Sequence, residues 1–459
     1  MTDPGELPWA GARAVARAVA AHEISALEVV QAHLDRIAAL EPELGALISK
    51  NPRALDEASR SPIGPLAGVP ITVKDLILTR GMRTTAGSRT FGEGLAPTRD
   101  APLIRRLRRA GAVLLGKNNL HELAMGVTTV NEHFGPSHNP WDRARVAGGS
   151  SGGSAVAVAA GLGAVSIGTD TRGSIRIPAA CCGVTGFKPS FGVVDTTGVV
   201  PLAPTLDHVG PIARSVEDAA LVLGVLSGWP RRAARWLYAV DTPPERGFRV
   251  GLCEWFFRDI DGDVEGLVRQ AAAVFSGNGF PLEPVEIPGL GEAHRASGTI
   301  TSAEALAFHA ERLASNPAGI GPLIRARLEQ GRGLTAVDYV RAAQVRALVT
   351  AAFLEAFKRV DLLLAPTLPA LPPPIGESEV RINGTPAGLL DAFTRLNSVA
   401  NMAGLPALSL PCGYTGEGLP VGLQLIAAPN RDDLVLALGA WYQRETDWHR
   451  RWPVSDSAI

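Results

Sequence analysis

Two short runs hold the residues best suited to chemistry. Ala147–Ser154 reads Ala-Gly-Gly-Ser-Ser-Gly-Gly-Ser and passes into an Ala/Val run that predicts a helix. Gly168–Arg176 reads Gly-Thr-Asp-Thr-Arg-Gly-Ser-Ile-Arg, follows the apolar stretch Ala164–Ile167 and leads into small residues and a proline. Glycine at this density lets backbone N–H groups converge on a small anion, because no Cβ blocks the approach. A serine in such a nest is a candidate nucleophile with its oxyanion donors already beside it.

A serine also needs a base. Gly148-Gly149-Ser150-Ser151-Gly152 satisfies G-x-S-x-G, but a nucleophile elbow requires a strand running straight into it. The preceding Asn139–Arg145 carries a proline and three charges, which makes a poor buried strand, and no His falls inside either run. A phosphate loop fails because no Lys follows Gly153. Lys74 remains: it ends the apolar run Gly68-Val-Pro-Ile-Thr-Val-Lys, beside Asp75, and burial there would let it shed its proton. His121, His133 and His208 have no metal-ligand spacing and read as structural or pocket-lining, as Lys117 and Lys188 read as structural. Ser154 reads as a helix N-cap. Asp170 and Arg176 read as an ion pair bracing the second run.

The elements that must position these groups alternate. Ser25 and Glu28 form a capping box ahead of a helix carrying Val30, Leu34, Ile37 and Ala38. Residues 70–74 predict a strand, Leu103–Ala110 a helix, Ala112–Leu115 a buried strand and Asn119–Gly126 a helix-like segment. Further on, Ser215–Leu226 and Val264–Phe275 predict helices around the strand Arg249–Cys253, and Ala303–Phe357 reads mostly as helix. Val360–Ala365, Ala407–Leu410 and Val421–Ile426 predict strands, and Arg431–Glu445 a closing helix. Trp229–Arg246 loses periodicity and reads as a surface connection. The pattern predicts an α/β fold: one large domain, 1–459, with a mixed, mostly parallel central sheet covered by helices on both faces. Within it, 1–65 is an N-terminal helical region and about 229–330 a helical segment placed to cover the site.

Composition narrows the class. The chain has 459 residues, 46% hydrophobic and 19% charged, with a formal net charge of −1, which argues against a nucleic-acid binder. Four cysteines without a CxxC pair suggest neither zinc nor thiol redox chemistry. Met1–Glu6 lacks the basic and apolar regions of a signal peptide, and no apolar run reaches transmembrane length, so a cytoplasmic protein is expected.

Taken together, these stretches resemble the amidase signature family. The resemblance is carried by Gly68–Asp75, Gly148–Ser154, Gly168–Pro178, Cys182-Gly-Val-Thr-Gly-Phe-Lys-Pro189, Leu206-Asp-His-Val-Gly-Pro211 and Gly404-Leu-Pro-Ala407. It implies Ser174 as nucleophile, Ser150 as a serine in a cis peptide bond, and Lys74 as base, in agreement with the 24 residues separating the serines. It implies an oxyanion hole from the N–H groups of Thr171, Arg172, Gly173 and Ser174, and an ordering role for Ser151. Met125, Gly126 and Arg172 are expected to line the substrate pocket. Many members have Gly where this chain has Arg172, whose side chain either faces the pocket, favouring an anionic or strongly polar acyl group, or points away.

The implied activity is hydrolysis of a carboxylic amide to acid plus ammonia or amine through an acyl-enzyme, with no cofactor, no metal, a small-molecule substrate and no membrane. A homodimer stays open. The alternative is the glutaminase A subunit of a tRNA-dependent amidotransferase, the one case that would bring in nucleic acid. Arg346 resembles an Arg of such subunits. They usually carry an Asp seven residues before the Asn of N-x-A-G-L-P, and here that position is Thr394. A catalytically dead scaffold is disfavoured because all three triad positions are filled.

Overall fold

The computed structural model describes residues 4–91 and 97–453. Met1 to Asp3, on which the reading of a leaderless N-terminus partly rests, lie outside the described residues. No described helix is long and apolar enough to cross a membrane.

One 11-stranded sheet organises the chain. In chain order its strands are β1 (Leu47–Lys50), β2 (Pro70–Lys74), β3 (Val113–Asn118), β4 (Val165–Asp170), β5 (Thr185–Lys188), β6 (His208–Ala213), β7 (Val250–Leu252), β8 (Leu282–Pro284), β9 (Leu362–Pro366), β10 (Ala407–Tyr414) and β11 (Pro420–Ala427). Their order across the sheet is β1-β3-β2-β4-β6-β5-β10-β11-β9-β7-β8. Every residue of β2, β3, β4, β5, β6, β9 and β11 is buried, as expected of strands covered on both faces.

The sheet is mixed, as expected, but the prediction of mostly parallel pairing is corrected. Six neighbouring pairs are antiparallel and four parallel. Connection length decides this. Parallel neighbours need a crossover, and β2 joins β3 and β4 across the helices Pro102–Arg109 and Gly152–Ala159. A five-residue turn between Tyr414 and Pro420 can only reverse the chain, so β10 and β11 pair antiparallel.

Three local readings also change. Trp229–Arg246 is not a bare connection: Pro230–Asp241 is a helix, started by Pro230 at its first position and anchored by Trp236 and Val240 four residues apart. Asn119–Gly126 is not a helix; only Glu122–Ala124 turns, with Leu123 and Ala124 at φ +49° and +59°. The 229–330 segment is not purely helical, since β7 and β8 extend the main sheet while the helices Leu290–Ser315 and Pro322–Gln330 pack toward the site. The Ser25 capping box forms as predicted.

The helix Gly152–Ala159 is buried along its whole length and needs two glycines at its start. A Cβ on Gly153 would stand 2.5 Å from the carbonyl oxygens of Ala46 and Asn119. Gly266, within the helix Gly262–Gly277, has open space around it. Gly153→Ala is therefore expected to lose about 3 kcal/mol or more of stability in urea unfolding, by overpacking against backbone. Gly266→Ala is expected to gain about 0.5–1 kcal/mol. Equal effects would contradict the packing described.

Candidate active site

The strand β2 ends on Lys74, and the neighbouring β4 ends in Thr169 and Asp170. Lys74 Nζ donates to Ser150 Oγ and to Thr169 Oγ1, both at 2.7 Å, in a fully buried setting. Burial brings the Lys74 ammonium down to about 7, with the charges of Asp170 and Asp207 opposing. The Gly149–Ser150 peptide is cis.

The two serine runs are fastened to each other. Ser151 N–H donates to the Ser174 carbonyl at 3.2 Å. Ser151 Oγ donates to the Thr169 carbonyl at 3.1 Å and accepts the Thr169 N–H at 3.3 Å. Ser151 thus ties the two runs together through three hydrogen bonds. Ser154 lies inside the helix with its hydroxyl 3.4 Å from Asn118 Oδ1, so its reading as an N-cap is corrected; Ser151 holds the N-cap position. Ser150 is fully buried, whereas Ser174 retains 6% exposure and lines a small cavity.

Behind Ser174 lies a buried ion pair. Arg176 donates to Asp170 from Nε and Nη2, each at 3.0 Å. Its remaining bonds go to the Asn397 carbonyl (3.1 Å), Gln424 Oε1 (2.6 Å) and Asn401 Oδ1 (2.7 Å), while Asn401 Nδ2 returns to Asp170 Oδ1 at 2.9 Å. Burial works to raise the Asp170 pKa, but the charge and hydrogen bonds of Arg176 outweigh it and hold the carboxyl well below its usual range. Asp170 also accepts the Gly173 N–H at 2.8 Å and the Ile175 N–H at 3.1 Å. Gly173 is thereby committed to Asp170, which separates it from the other three predicted donors, Thr171, Arg172 and Ser174. Its φ of +119° and a Cβ position 2.6 Å from Asn397 Cβ allow only glycine there.

The other candidates fall into place. Lys117 pairs with Asp75 at 2.7 Å, both fully buried. Burial and the Arg176 charge lower Lys188 to about 7, the same value as Lys74, but its ammonium donates to the carbonyls of Pro189 (3.0 Å) and Leu405. Geometry therefore separates the two lysines where burial does not. His121 contacts Thr128 Oγ1 at 3.1 Å, His133 contacts Glu122 Oε1 at 3.1 Å and His208 contacts the Leu206 carbonyl at 2.7 Å. Among the described residues no His, Cys, Asp and Glu gather as a metal site.

The cavity at Ser174, about 100 Å³, has Met125, Gly126 and Arg172 in its wall. Sequence reasoning missed Arg327, Thr301 and Gln330, which come from the two helices packed over the site. It missed Thr169 too, although that residue sits directly before Asp170. Burial lowers the Arg172 guanidinium to about 10, against the pull of Asp391, which leaves it cationic at neutral pH.

Removing one partner of a buried pair leaves an uncompensated charge. Arg176→Met is expected to lose about 3–5 kcal/mol of stability in denaturant unfolding. Adding Asp170→Asn should recover part of that loss. A single-variant loss under about 1 kcal/mol would show that the pair does not brace the loop.

A profile of the Amidase family matches residues 28–436. The glutamyl-tRNA(Gln) amidotransferase A subunit of Chloroflexus aggregans is 40% identical, over 98% of this chain and 99% of the relative. A solved structure of an amidase superposes with a TM-score of 0.88 at 35% identity, covering 95% of this chain and all of that one. The peptide amidase of Stenotrophomonas maltophilia superposes at 0.83 with 31% identity, covering 98% and 100%. The chain belongs to the amidase signature family, whose members act on amides.

Proposed function

We propose that this enzyme hydrolyses a carboxylic amide through an acyl-enzyme on Ser174. The observation that carries the reading is the buried 2.7 Å contact between Lys74 Nζ and Ser150 Oγ, fastened beside the Ser174 loop. Neutral Lys74 accepts a proton through Ser150 as Ser174 Oγ attacks the amide carbon. The N–H groups of Thr171, Arg172 and Ser174 stabilise the oxyanion. The proton returns through Ser150 to the departing nitrogen, the C–N bond breaks, and water then releases the acid. The four cysteines are buried and unpaired, which fits a reducing cytoplasmic setting. In this reading the chain works as one unit, with the helices at 290–330 walling the acyl cavity.

A second reading is favoured by the names of the curated relatives: the glutaminase component of a tRNA-dependent amidotransferase. The first is preferred on the cavity wall. Glutamine brings an ammonium group, and the described lining contains Thr394 and neither Asp nor Glu. Ammonia or amine release from simple amides by the purified chain separates the two. Strict dependence on glutamine, tRNA and a partner protein would select the second.

A base that titrates near 7 sets the pH dependence. Below about 7 Lys74 is protonated and cannot accept, so kcat/KM should rise about tenfold per pH unit and level off above. Lys74→Ala is expected to lose about 10²–10⁴-fold in turnover with folding retained. Near-normal activity would remove Lys74 from the reaction. Fluorophosphonate labelling should map to Ser174 and vanish in Ser174→Ala; a label on another serine would overturn the assignment.

A further inference from the structure

Arg172 enters the cavity two residues from the nucleophile. Residue Arg172 is half-buried, and its Nε lies buried with no hydrogen-bond partner among the described residues. Desolvated charges in folded proteins are normally paired. The acid whose charge bears on it, Asp391, is itself held by His294 Nε2 at 2.7 Å, and His294 Nδ1 in turn contacts Ser398 Oγ at 3.0 Å. Across the cavity stands Gly298, whose Cβ position is 3.8 Å from Arg172 Nη1, so the guanidinium faces a helix surface bare of side chain.

The rest of the described wall adds one more cation and is otherwise uncharged. Arg327 lines the cavity while donating to the Met125 carbonyl, and Thr301, Ser302, Gln330 and Thr394 add neutral polar groups. No Asp or Glu appears among the described lining residues. At about 100 Å³ the space is small. It suits a short acyl chain with a charge at its far end.

We propose that the acyl half of the substrate carries a carboxylate that Arg172 binds, so that the preferred substrates are short amic acids, the monoamides of dicarboxylic acids. A guanidinium fork matches a carboxylate in two parallel hydrogen bonds. This deepens the amide-hydrolase reading and rests on it for turnover, though not for binding.

The test has two arms. In the first, kcat/KM is measured on succinamate and on the uncharged butyramide, for the wild type and for Arg172→Met, Arg172→Gln and Arg172→Lys. The wild type should prefer succinamate. Arg172→Met and Arg172→Gln should lower kcat/KM on succinamate by about 10- to 100-fold more than on butyramide, the range of a charge-assisted contact, whatever loss the two amides share through the oxyanion loop. Arg172→Lys should lose less on succinamate than either neutral variant. Parallel losses on both amides, or a wild-type preference for butyramide, would overturn the proposal.

In the second arm, calorimetry follows succinate binding to Ser174→Ala with and without Arg172→Gln, which needs no turnover. Succinate binding that depends on Arg172 supports the carboxylate site even if neither amide is hydrolysed, an outcome that would sink the hydrolase reading alone. Amide turnover with succinate binding absent, or unchanged by Arg172→Gln, would sink the carboxylate site alone.

Discussion

The buried pair of Asp170 and Arg176 is the constraint on which the site depends. A guanidinium withdrawn from water must find a partner for every donor, and Arg176 finds them on three separate pieces of chain: the end of β4, the helix Leu389–Met402 and the strand β11. Asp170 uses its remaining lone pairs on the N–H groups of Gly173 and Ile175, which curls the intervening backbone around Ser174. Satisfying one charge therefore shapes the loop. The stability of such a pair is modest against well-packed apolar residues; what it supplies is a unique geometry, because any other arrangement strands a buried charge.

Three buried lysines show how little burial alone says about role. Lys74, Lys117 and Lys188 are all fully enclosed, and all are pushed downward by loss of hydration. Lys117 answers a carboxylate and Lys188 answers carbonyls that need a donor. Lys117 also reaches the Thr84 hydroxyl at 2.8 Å, but its carboxylate partner holds it as a cation, whereas the described hydrogen bonds of Lys74 go to hydroxyl groups alone, which can give a proton as well as accept one. The chemistry of the partner, more than the degree of enclosure, distinguishes a candidate base from a structural cation.

Much of this was legible in the chain because the signals were local. The β-branched run ending in Lys74, the glycine–serine nest and the Ser25–Glu28 box each state their own conformation within a few residues. What was hidden depends on distant partners. Asn119–Gly126 has helical composition, yet the His121 N–H is taken by the Ser150 carbonyl and Leu123 and Ala124 are turned to positive φ. The 230–241 helix has a narrow apolar face, two buried residues among many charges, too weak a pattern to stand out. Asn397, Asn401 and Gln424 carry no sequence mark of their role, since only the fold brings them to Arg176. Strand direction was misjudged for a similar reason: alternation of elements does not say how short a return loop is.

The Lys74–Thr169 contact joins positions 95 residues apart, across adjacent central strands. On the proposed mechanism, an emerging polypeptide thus carries its base long before the residues that would use it have been made. With lysine in water at its ordinary pKa, a nascent or partly unfolded chain is chemically silent. In that reading reactivity would arrive only when β2 and β4 have paired and the surroundings have closed over the ammonium, so that latency would be built into the topology.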